Sequence, residues 1–183
     1  RDFLLNTYYK DTNEINTKGS QDLVIHTGKG NKTPVGVIIE AKRPGNKADW
    51  ISAGKPNGKA LQELVLYYLR ERIEENNNDI QYLIATNIYE WYIIESHYFE
   101  RLFNRNKTLV KQYEDWRDRK KVASDTKLFY TEIVKPFIDG IDEKIPCIFF
   151  DIRDYGKFLK QAASKEDKNL IALYKILSPN HLL

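Results

Sequence analysis

The sequence predicts an α/β fold: a mixed central β-sheet flanked by helices, with further helices toward the C-terminal end. Three observations predict it. Val35-Gly-Val-Ile-Ile-Glu-Ala-Lys42 is nearly continuous in apolar residues, as a central strand covered on both faces requires. From Lys59 the apolar spacing becomes the i, i+3, i+4, i+7, i+8 pattern of a helix, carried by Leu61, Leu64, Val65, Tyr68 and Leu69. Two short β-type runs then flank a turn at residues 86–90 and read as a hairpin.

In chain order, residues 1–10 form a partly apolar segment that reads as the end of a helix. Gly19-Ser20 introduces a short strand over Asp22–Ile25, and a turn containing Gly28-Lys29-Gly30 leads into the strand Val35–Lys42, which Pro44-Gly45 ends. The stretch to Gly58 holds Gly, Pro, Asn and Lys and reads as a loop. The helix Lys59–Glu75 carries Glu63, Arg70, Glu71 and Glu74 opposite its apolar stripe and stops at Asn76-Asn77-Asn78. Gln81–Ala85 and Trp91–Ile94 are the hairpin strands. Helical patterns at 99–103, 108–116 and 127–137 precede a last β-like run, Cys147–Ile152, and closing helices over Tyr155–Ala163 and Asn169–Leu177.

The 183 residues, 42% hydrophobic, suit one domain spanning 1–183. The chain begins at Arg1 and contains no Met, so it reads as an excerpt from a longer polypeptide. No apolar stretch reaches the roughly 18 residues of a membrane span and no leader precedes a cleavage site, so a soluble, cytoplasmic protein is expected. The single cysteine, Cys147, allows no internal disulfide, and its flank Ile148-Phe149-Phe150 predicts a small buried residue rather than a reactive thiol. His26, His97 and His181 are isolated and lack ligand spacing, and no Gly-rich phosphate loop is followed by Lys-Ser/Thr. Trp91, Trp116 and the twelve tyrosines are placed for core packing.

Net charge is only +3, but its distribution is uneven. Between Lys29 and Lys59 seven basic residues (Lys29, Lys32, Lys42, Arg43, Lys47, Lys55, Lys59) face only Glu40 and Asp49, which suits either a docked polyanion or a solvated loop face. Within that segment Glu40 and Lys42 are two apart on a strand and therefore project to one side, with Ile39 and Ala41 facing the other. A carboxylate and an ammonium on an apolar central strand carry a desolvation cost. A metal site would justify it, with Asp22 on a neighbouring strand bringing a second carboxylate; a plain ion pair on an edge strand is the alternative.

The run Gly19-x-x-Asp22-Leu-Val-Ile followed by Ile38-Ile-Glu40-Ala-Lys42 resembles the PD-(D/E)xK nuclease core. Three longer stretches, Glu40-Ala-Lys-Arg-Pro44, Asn57–Arg72 and Ala85-Thr-Asn-Ile-Tyr-Glu-Trp91, resemble the N-terminal nuclease region of type IIG restriction-modification enzymes, and Leu170–Leu183 resembles the end of that region. The resemblance implies a restriction-endonuclease-like core and Mg²⁺-dependent hydrolysis of double-stranded DNA. It implies Asp22, Glu40 and the carbonyl of Ala41 as metal ligands, Lys42 as the residue that holds or helps deprotonate the attacking water and stabilises charge in the transition state, and Gln62 beside the metal and the scissile phosphate. For Gln62, a polar border position on an amphipathic helix is the alternative. Arg43, Lys47, Lys55 and Lys59 would contact DNA. Partners would be the methyltransferase and target-recognition regions of the same polypeptide, where S-adenosylmethionine would bind, and a second copy brought in transiently for double-strand cleavage. The family's additional acidic residue on an earlier helix finds no counterpart. A non-catalytic DNA-binding module of the same fold and a stand-alone repair nuclease are the competing readings.

Overall fold

The computed structural model describes residues 9–46, 49–52, 57–118, 126–151, 153, 176–177 and 179–183. Six strands, β1 (Ile15–Lys18), β2 (Gln21–His26), β3 (Val35–Ala41), β4 (Tyr82–Thr86), β5 (Glu90–Glu95) and β6 (Ile148–Asp151), lie side by side in chain order. β3 and β4 are parallel and every other neighbouring pair is antiparallel, so the sheet is mixed. Parallel neighbours cannot be joined by a tight turn. The connection between them contains helix α1 (Lys59–Leu69), which runs on as a π-helical turn over Arg70–Glu74 and stops at Asn76, whose left-handed φ of 51° an asparagine tolerates.

β3 is covered on both faces, as its composition predicts. Ile38 joins Val24, Leu83 and Ile94 in a core closed by α1, while Val37 and Ile39 join Ile25, Ile84 and Ile93 in a second core with Tyr9, Leu177 and Leu182. Tyr9 donates its hydroxyl to the Leu177 carbonyl at 2.8 Å, fastening the two ends of the described chain together. Beyond α1 lies a second helical layer: α2 (Ser96–Phe99) with its π-helical extension to Asn104, α3 (Lys107–Asp118), and a continuous run over 126–139.

This second layer corrects the reading of α1. Residues 60–69 are buried without exception, and Glu71 is 1% exposed, so Glu63 and Glu71 do not lie on a solvent face. A helix between two layers has no free side, and a buried acid there must be matched. Glu71 accepts from Lys18 at 2.7 Å, Gln21 at 3.0 Å and Asn77 at 3.1 Å, which clips the end of α1 to the β1–β2 hairpin.

Three further readings change. β1 is absent from the sequence reading because Asn16, Thr17 and Lys18 break the apolar pattern; as an edge strand it has only Ile15 fully buried, and it turns into β2 through Gly19 at φ 60°. Cys147 is exposed, not buried: β6 is the opposite edge, and of its apolar run only Phe150 goes into the core while Ile148 and Phe149 stay at the surface. The cationic segment is not one patch, because seven residues of β3 put Lys29 and Lys32 roughly 20 Å from Lys42, at the other end of the strand. The helices predicted over Tyr155–Ala163 and Asn169–Leu177 lie outside the described residues except for 176–177, and residues 1–8 of the first segment lie outside them too. Among the described residues no helix is long and apolar enough to cross a membrane.

One glycine sets the entry to α1. A Cβ on Gly58 would stand 2.6 Å from the Trp50 carbonyl oxygen and 3.0 Å from the Ile51 nitrogen, both backbone atoms with little room to yield. Gly58→Ala is therefore expected to destabilise the domain by about 1–3 kcal/mol, read from the urea midpoint. An unchanged midpoint would show that the loop before α1 is not packed as described.

Candidate active site

The carboxyl end of β3 delivers two side chains to the α1 side of the sheet. Ile38 faces α1, and the two-residue period carries Glu40 and then Lys42 to the same side. The backbone N–H of Lys42 still bonds the Thr86 carbonyl at 2.8 Å, so the residue stays aligned with β4 one position past the strand. The pairing of Leu23 with Ile39 sets Asp22 at the mouth of the same end, where its Oδ2 accepts the Ala41 N–H at 2.9 Å. Asp22 is exposed and Glu40 is 2% exposed, so one carboxylate stands at the solvent boundary and the other behind it.

Lys42 bridges the strand to the helix. Its Nζ donates to Glu40 Oε1 at 2.5 Å and to Glu63 Oε2, while Lys59 approaches Glu63 Oε1 at 3.8 Å. Glu40 Oε2 is buried with no hydrogen-bond partner among the described residues. The electrostatics follow from this crowding. Burial, then the Glu63 charge, push the Glu40 carboxyl up to about 9 despite the opposing pull of Lys42, and Asp22 adds to the rise. Burial pulls Lys42 the other way, but its hydrogen bonds to Glu40 and Glu63 prevail and hold its pKa above the ordinary lysine value. Burial and the nearby Glu40 and Glu63 charges keep the phenols of Tyr67 and Tyr130 protonated, and Tyr67 donates to the Ser20 carbonyl at 2.7 Å.

The cluster therefore holds two buried acids, Glu40 and Glu63, against the part-buried Lys42, with the half-exposed Lys59 near Glu63 at its edge. Near neutral pH the surplus charge is relieved by a proton on Glu40, and a cation bound at Glu40 Oε2 would relieve it equally. The donors are hard oxygens, which fit Mg²⁺ rather than a soft metal. As arranged, with Asp22 on the Ala41 amide and Glu63 on Lys42, no three His, Cys, Asp or Glu among the described residues converge on one point.

The structure thus brings Asp22, Glu40 and Lys42 together and adds Glu63, which sequence reading left on an outer face. No local signal marked it: Lys59 and Arg70, four before and seven after Glu63, give its side of the helix a polar stripe. Gln62 points elsewhere, donating to Asn57 Oδ1 at 2.8 Å in a separate polar cleft. Ala41 sits at the exposed end of β3, Arg43 is exposed just beyond it, and Lys59 is half-exposed above Glu63. Lys47 and Lys55 lie outside the described residues. Of the histidines, His26 is buried between Thr33 and Asn16, the exposed His97 pairs with Glu95, and His181 stacks on Tyr82.

Fold and site together define an α/β domain with a mixed six-stranded sheet whose covered central strand presents a carboxylate–lysine pair to Glu63 of α1. The chain belongs to the family described as Domain of unknown function (DUF7149), whose model matches residues 1–183. No curated protein and no solved structure matches it.

Proposed function

We propose that this domain is a Mg²⁺-dependent endodeoxyribonuclease with a restriction-endonuclease-like core, acting as the cleaving part of a combined restriction-modification polypeptide. The observation that carries the reading is the charge imbalance at the end of β3. A structural ion pair would be balanced, whereas here the three carboxylates of Asp22, Glu40 and Glu63 face Lys42 and the half-exposed Lys59, and a buried carboxylate oxygen of Glu40 has no donor. Asp22, Glu40 and the Ala41 carbonyl would hold the cation. When bound, it supplies Lewis-acid stabilisation of charge on a phosphodiester and favours the ionised form of water. Lys42, held as an ammonium, serves as a hydrogen-bond donor that orients the attacking water and stabilises developing negative charge; its raised pKa makes it a poor base. Glu63 positions Lys42 from the helix side. Tyr67 and Tyr130 remain neutral donors and add no charge to the centre.

Calorimetric titration of the chain with Mn²⁺ tests the ligand set. Binding is expected in the wild type and lost in Asp22→Ala. Because the cation displaces the proton held by Glu40, affinity should rise about tenfold per pH unit up to about 9, with about one proton released. Equal affinity in Asp22→Ala, or binding that ignores pH, would remove these residues as the ligands.

A further inference from the structure

We infer that the polar cleft between the first turn of α1 and the helical run over 126–139 is a subsite for a backbone phosphate of the bound nucleic acid, neighbouring the one to be cleaved. The inference rests on the nuclease reading above for the identity of the polymer. The cleft measures about 430 Å³, more than one phosphate fills and enough for a phosphodiester with part of its sugar. Three lysines line it, Lys59, Lys127 and Lys135, together with Asp49; Lys135 also pairs with Asp139 at 2.6 Å and Lys59 approaches Glu63 at 3.8 Å.

Two features make it more than a scatter of surface lysines. Lys127, Thr131 and Lys135 recur every fourth residue along one helical run, so two cations and a hydroxyl are presented in a row. The opposite wall is held in place: Gln62, 8% exposed, donates to Asn57 at 2.8 Å, and Asn57 donates to the Lys135 carbonyl at 2.8 Å and to Asp139 at 2.5 Å. The two sides of the cleft are thereby tied before any ligand arrives, which lowers the entropy cost of ordering them on binding.

Its position links it to the candidate active site. Lys59 lines the cleft and also approaches Glu63 at 3.8 Å. Tyr130 lines it as well and feels the charges of both Glu63 and Glu40. A strand whose scissile phosphate sat at Lys42 would meet the cleft at its Lys59 edge, since Glu63 contacts both lysines. Lys135 is paired with Asp139 at 2.6 Å with both side chains about half exposed, so a phosphate can compete with that carboxylate for the ammonium.

The test is duplex DNA binding by fluorescence anisotropy, with Ca²⁺ replacing Mg²⁺, on the whole chain. The pair Lys127→Ala with Lys135→Ala is compared with Lys107→Ala with Lys111→Ala, an equal charge change on α3 outside the cleft; all four lysines are exposed, so folding should survive. The cleft pair is expected to weaken binding about tenfold and to reduce the log–log salt slope by about two, one per lost phosphate contact, with the loss in cleavage falling on KM. The α3 pair should do neither. Equal losses in the two pairs, or an unchanged salt slope, would overturn the subsite. So would binding of inorganic phosphate that depends on Lys127 and Lys135 while duplex affinity does not, because the cleft would then serve a free anion. Cleft-dependent DNA binding without Mg²⁺-dependent cleavage would sink the nuclease reading and leave the subsite standing; cleavage with an unaltered KM in the cleft pair would do the reverse.

Discussion

Replacing Lys42 by alanine is expected to reduce Mg²⁺-dependent DNA cleavage by about 10²–10⁴-fold, with duplex affinity nearly unchanged because one lysine accounts for about one counterion. The same substitution strips Glu40 and Glu63 of their shared partner. Breaking a buried pair by removing one member costs about 3–5 kcal/mol. Glu40 already holds its proton near neutral pH, so the uncompensated charge falls on Glu63. A lost activity could therefore reflect a lost fold. The double variant Lys42→Ala with Glu63→Gln separates the two, since it removes one charge of each sign and keeps the net charge of the wild-type cluster. Its urea midpoint should move back toward the wild type while cleavage stays lost. Recovery of both together would make Lys42 a structural residue.

Glu40→Gln is expected to uncouple stability from activity in a pH-dependent way. The Glu40 carboxyl titrates near 4.5 when the chain is unfolded and at about 9 when it is folded, so across that window the native state holds one proton more than the unfolded state. Stability then falls as pH rises from about 4.5 to about 9 and levels off above, in the absence of a divalent cation. Glutamine resembles the protonated acid in shape and lacks its titration. In EDTA the variant should match the wild-type Tm at about pH 5 and exceed it at about pH 9, while in Mg²⁺ it should cleave no DNA at either pH. Parallel Tm curves for the two proteins over that range would contradict the burial and charge assigned to Glu40.

How much of this was legible in the sequence depends on what kind of signal each element carries. β3 and the β4–β5 hairpin were readable because apolar continuity and turn chemistry act locally, and their bounds moved by one residue at most. β1 was not, because an edge strand needs only one buried side chain and its Asn-Thr-Lys tail looks like loop. Cys147 misled for the converse reason: its apolar flank belongs to an edge strand with one face uncovered. Asp22, Glu40 and Lys42 could be paired in advance because strand parity and neighbouring strands determine which side chains meet. Glu63 could not, since its burial comes from the helical layer over 126–139, which covers α1 from the far side and leaves no trace in the local pattern of α1.

The central claim, that the end of β3 is a cation-dependent phosphodiester-cleaving centre, is tested most directly by incubating the purified chain with supercoiled and linear duplex DNA in Mg²⁺ and in EDTA, beside Glu40→Gln shown to be folded by its Tm. Cleavage by the wild type in Mg²⁺ alone, absent from the folded variant, is the result the account predicts. Cleavage that persists undiminished in folded Glu40→Gln, or no Mg²⁺-dependent cleavage by a wild-type chain that binds both DNA and Mn²⁺, would contradict it.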